Sequence, residues 1–117
     1  MVRFDGYNIE LTRGDTLMMR IDLSGRDLPE GSQAVLTVKK NVRSEEKLIC
    51  EWFDASEETL GICLLPEQTD LTPGVYVWDV RLRIPAENGS FEVFTPMDYA
   101  AFVVVDAVGD GTEAANE

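Results

Sequence analysis

Gly74-Val75-Tyr76-Val77-Trp78-Asp79-Val80-Arg81-Leu82-Arg83-Ile84 is the stretch on which the fold turns. Tyr76, Trp78, Val80, Leu82 and Ile84 alternate with Val77, Asp79, Arg81 and Arg83. Strand side chains point to opposite faces in turn, so this period of two marks a strand with one buried face. An inward row this long predicts a central strand.

The neighbouring segments repeat the pattern. Upstream, Thr72-Pro73-Gly74 reads as a turn in which Pro presets φ and Gly supplies a positive φ. Pro66 to Leu71 predicts one helical turn, because Pro suits the first helical position. Glu46–Asp54 and Glu57–Leu65 read as two strands of a hairpin, with Ile49 and Phe53 facing Leu60, Ile62 and Leu64. Ala34 to Lys40 places Leu36 and Val38 inward. Leu17, Met19, Ile21 and Leu23 share one face of Thr16–Leu23, and Ile9 and Leu11 alternate before the break at Arg13-Gly14-Asp15. Downstream, Asn88-Gly89 signals a hairpin turn leading to Phe91–Thr95. Ala101 to Val105 is apolar on both faces, as in a strand buried on both sides or covered by a partner.

The sum is about eight short strands (a range of roughly 7–9) with turn signals at regular spacing and one short helical turn near 66–71. The expected fold class is all-β, an Ig-like antiparallel β-sandwich. A closed barrel has the same periodicity and stays open as an alternative. Residues 1–106 form the expected single domain. Residues 107–117 read as a disordered acidic tail, since from Gly109 only Gly, Asp, Thr, Glu, Ala and Asn occur.

Composition bounds the function. The chain has 117 residues, 44% of them hydrophobic, enough for a core without metal or disulfide staples. Ten Lys and Arg stand against 22 Asp and Glu, giving a net charge of -12. That balance argues against nucleic acid as a partner, because such binding is built on phosphate neutralisation. The absence of histidine removes the commonest general base and imidazole ligand. No apolar run approaches a membrane span, and the start at Met1 lacks the apolar stretch of a signal peptide. The expectation is a protein outside the membrane that is not exported by the usual route.

Individual residues add little chemistry. If Ile49 lies opposite Leu64, Cys50 lies opposite Cys63, and a cross-strand disulfide is conceivable. A reducing compartment favours two thiols acting as small apolar residues instead. Neither cysteine has a histidine to activate it as a nucleophile. Arg13-Gly14-Asp15 matches an integrin-binding tripeptide, but a turn explains it more simply. The carboxylates at Asp5, Asp15, Glu45-Glu46, Glu57-Glu58, Asp106, Asp110 and Glu113 lack metal-loop spacing and read as solvated charge. No metal or cofactor is expected. No phosphate loop or nucleophile elbow is present. Trp52 shares a face with Cys50, opposite to Phe53, and is the one aromatic expected to be exposed and to touch a partner.

Four segments in order carry a resemblance: Leu11-Thr12-Arg13-Gly14-Asp15-Thr16, Leu36-Thr37-Val38-Lys39-Lys40, Leu65-Pro66-Glu67-Gln68-Thr69-Asp70-Leu71 and Gly74-Val75-Tyr76-Val77-Trp78-Asp79-Val80. This succession resembles the N-terminal β-sandwich domain of upper baseplate proteins from tailed phages and prophages of Gram-positive bacteria. The resemblance spans roughly Ile9 to Val105. It implies a non-enzymatic structural protein of a tail or baseplate, made in the bacterial cytoplasm and carried in the virion. Its implied partners are other tail or baseplate proteins and further copies of itself. The chain has no long extension after the domain, which points to an adaptor or building block rather than an adhesive tip. The alternative expectation is a recognition module binding carbohydrate or peptide through Trp52 and acidic loops. A hydrolase run by two carboxylates has no residue pair selected by spacing.

Overall fold

The computed structural model describes residues 1–23, 26 and 28–108. The fold is all-β. Its strands are β1 (Val2–Asp5), β2 (Asn8–Thr12), β3 (Leu17–Asp22), β4 (Gln33–Lys39), β5 (Ile49–Asp54), β6 (Thr59–Leu64), β7 (Gly74–Pro85), β8 (Phe91–Phe94) and β9 (Ala100–Val105). A single helical turn, α1 (Pro66–Thr69), precedes β7. Seven strands form one sheet in the order β1-β2-β9-β7-β4-β5, with β8 also paired to β7. β3 and β6 form a second, two-stranded sheet, and the two sheets enclose the core between them as a sandwich.

β7 is the centre, as its alternation requires. Tyr76, Trp78, Val80 and Leu82 are buried, and Ile84 is half-buried. One edge of β7 pairs with β4 from Val77 to Arg83. The other edge is shared: β9 takes Gly74 to Trp78, and β8 takes Leu82 to Pro85. This register aligns Leu36 with Val80, Val38 with Trp78 and Tyr76 with Phe102, so the inward side chains stack in rows. Leu17, Ile21, Leu60, Ile62 and Leu64 close over them from the small sheet. Each such aliphatic side chain contributes about 1.5–3 kcal/mol when fully buried.

Every pairing among the described strands is antiparallel except one. β2 runs parallel to β9, with Ile9 beside Phe102 and Leu11 beside Val104, so the large sheet is mixed. No tight turn joins strands so far apart in sequence, and their relative direction is therefore free of hairpin geometry. β9 lies between β2 and β7, and its two-sided apolar sequence divides between the core and the outer face of the sheet. Phe102 and Val104 enter the core, while Ala101, Val103 and Val105 are half-buried on the outside.

The proposed hairpin of β5 with β6 is overturned. β5 pairs with β4, and β6 pairs with β3 in the other sheet. Ala55 is buried, and its N–H donates to the Ser32 carbonyl at 2.9 Å, which anchors the chain where it crosses between sheets. Gly74 also differs from expectation: it begins β7 and is not among the glycines with positive φ. By contrast, Gly89 has φ 80° in the β7–β8 turn, and Gly14 has φ 80° in the Arg13-Gly14-Asp15 turn, as those turns require. The helical turn holds, with Pro66 in its first turn, and it ends at Thr69.

Of the expected tail over 107–117, positions 109–117 lie outside the described residues. No helix among the described residues is long and apolar enough to cross a membrane.

Candidate interaction surface

The outer face of the seven-stranded sheet is built by the same alternation that fills the core. Wherever a strand sends Tyr76, Trp78 or Leu36 inward, its neighbours in sequence point out. On β7 and β9 those neighbours are Val75, Val77, Ala101, Val103 and Val105. Val75 lies beside Val103, and Val77 beside Ala101. Val75 is 68% exposed. The part of the outer face on β7 and β9 is thus aliphatic where a solvated sheet face is normally polar, and it is bounded by Glu10 and Thr12 on β2.

The other half is aromatic and cationic. Trp52 on β5 lies beside Val35 on β4, which lies beside Arg81 on β7. Trp52 is 49% exposed, the exposure expected from its parity opposite Phe53. One step along, Gln33 lies between Asp54 and Arg83, and Arg83 lies beside Val93. The Arg83 guanidinium sits 3.7 Å from the centroid of the Phe91 ring. Arg81 Nε donates to Thr95 Oγ1 at 3.2 Å. In a chain of net charge -12, two of ten cations are therefore held on one strand among exposed apolar side chains. Thr37, Lys39, Cys50 and Asp79 separate the two halves.

Among the remaining sequence candidates, Cys50 lies between the two halves of this surface and Cys63 lies in the other sheet. Cys50 lies beside Thr37 and Cys63 beside Met18, in different sheets. Both are exposed free thiols, and the cross-strand disulfide is overturned together with the hairpin that suggested it. In the Arg13-Gly14-Asp15 turn, Arg13 Nε donates to Asp70 Oδ1 at 2.7 Å, and the Asp15 carboxylate takes the N-terminal ammonium. Its main chain is fixed too: the Thr69 hydroxyl donates to the Asp15 carbonyl at 2.6 Å. Both charged groups of the tripeptide thus have partners within the fold. Among the described residues no three carboxylates or thiols converge as metal ligands.

Concave features are shallow. A depression of about 320 Å³ lies between the β1–β2 turn and β3, lined by Phe4, Tyr7, Met19, Ile21 and Trp78. Phe4 has core parity, since it lies opposite Ile9, yet it is exposed and lines this depression with Met19 and Ile21 of β3.

Sequence reasoning placed Trp52 on the surface and a strand at Phe91–Thr95, but did not single out that strand as an exposed apolar element. All four residues of that strand are exposed, three of them apolar. The signal was present in Phe91, Val93 and Phe94, which put apolar side chains on both faces of one strand. No family model matches the chain, and neither does any curated protein.

Proposed function

We propose that the chain is a non-enzymatic assembly module that works through protein–protein contacts, in the tail or baseplate of a phage or prophage particle. The observation that carries the assembly reading is the outer face of the large sheet. Val75, Val77, Ala101, Val103 and Val105 form an aliphatic surface on the sandwich, and Trp52 and Val35 form a second apolar patch beyond Thr37, Cys50 and Asp79. Large apolar patches on a soluble surface mark contact sites. The assignment to a phage particle rests on the order of the four sequence motifs. The lack of histidine in the chain fits a role without acid–base chemistry.

Mass spectrometry of particles purified after prophage induction tests this reading. The chain present at stoichiometric levels is the expected result. Abundant particles that lack it, with the chain present in the cell extract, overturn it. A carbohydrate- or peptide-binding role is the second reading, favoured by the half-exposed Trp52 beside Val35. A blank glycan array, with Trp52→Ala unchanged in every assay, removes it.

A further inference from the structure

We infer that β8 is a self-pairing edge, through which two copies of the chain join about a two-fold axis at Val93. β8 pairs with β7 on one side only, and no described strand lies on its other side. Its apolar residues stay open to solvent, with Phe91 46% and Val93 57% exposed. Monomeric proteins blunt such edges with Lys, Pro or a bulge, and β8 contains no Lys or Pro.

The open backbone groups follow from the turn. Ala86 N–H donates to the Ser90 carbonyl at 2.9 Å, so these two form a hydrogen-bonded pair. Alternation along the ladder makes Ile84–Glu92 and Leu82–Phe94 pairs of the same kind. The N–H and C=O groups of Phe91 and Val93 therefore point to the open edge. Pro85, which has no N–H, sits opposite Phe91, where no bond is needed between them.

Charge selects the register. An antiparallel two-fold pair must match outward-pointing groups with each other. An axis at Glu92 would set two carboxylates face to face. An axis at Phe91 would run the pairing off the strand into the turn. An axis at Val93 sets Val93 against Val93 and Glu92 against Phe94 of the second copy. That ring carries a cation, because the Arg26 guanidinium sits 4.0 Å from the Phe94 centroid. Each Glu92 then meets an Arg26 across the axis, twice over. The occupant of the edge is accordingly a second copy, and the two large sheets become one. This inference stands apart from the particle role. A monomer found in particles overturns only the pairing, and a dimer absent from particles overturns only the role.

Sedimentation and light scattering of the whole chain, up to millimolar concentration, test it. A reversible dimer is expected. Glu92→Arg alone, or Arg26→Glu alone, should weaken it about tenfold, close to 1.4 kcal/mol. The double variant should return to the wild-type constant. Val93→Pro removes an outward N–H and no ladder bond, so it should give a monomer with an unchanged circular dichroism spectrum. A monomer at every concentration overturns the inference. So does a dimer that neither charge reversal weakens, or one that the double variant fails to restore.

Discussion

The indole N–H of Trp78 donates to the main-chain carbonyl of Tyr7 at 2.9 Å, across 71 positions of sequence. The centre of the large sheet is thereby tied to the turn that joins β1 and β2. Trp78 is buried and Tyr7 exposed, so the bond is partly shielded from water. Trp78→Phe leaves the Tyr7 carbonyl without its donor and removes part of a packed ring. The expected loss is about 1–3 kcal/mol in chemical denaturation. Amide exchange should rise most in β1 and β2, and uniform exchange across the sheet would contradict this link.

Thr69 and Arg13 both hold the Arg13-Gly14-Asp15 turn, with unequal effect. The Thr69 hydroxyl is fully buried, whereas Arg13 and Asp70 are exposed. Thr69→Val keeps the shape but strands the Asp15 carbonyl, and should cost about 1–3 kcal/mol. Arg13→Ala should cost about 0.2–1 kcal/mol, and less as salt rises. Thermal melts of the two variants check the order.

Cys50 and Cys63 should both react in the folded protein without reductant. Intact mass after alkylation is expected to show two added labels. Each Cys→Ser change should move stability by about 0.5 kcal/mol or less, because both side chains are exposed. A species two protons lighter that takes no label would contradict the separation of the strands.

Val75 separates assembly from folding. Its side chain is mostly in solvent, so Val75→Asp should shift the denaturation midpoint little, within about 0.5 kcal/mol. The same change places a carboxylate beside Val103 on the aliphatic surface. Incorporation into particles should then fall sharply while soluble yield is kept. Leu36→Ala, in the core, should instead cost about 2–5 kcal/mol.

Which face of a strand is buried was legible from the sequence; which strand lies alongside it was not. Tyr76, Trp78, Val80 and Leu82 declared their parity through strict alternation, and so did the exposure of Trp52. Ile49 and Leu60 carry the same alternation whether their strands lie side by side or face each other across a core. That ambiguity produced the false β5–β6 hairpin, and the pairing of β5 with β4 and of β6 with β3 resolves it. The parallel match of Ile9 with Phe102 is likewise invisible locally, since no turn records it. β1 is not legible in the same way, because it has four residues and none of them is fully buried.

The placement of β9 also sets an order on biosynthesis. Residues 100–105 come late from the ribosome, yet they fill the slot between β2 and β7. Until they emerge, β2 has no strand beside it on the side that faces β7. β1 and β2 therefore complete the large sheet only after β9 has been made.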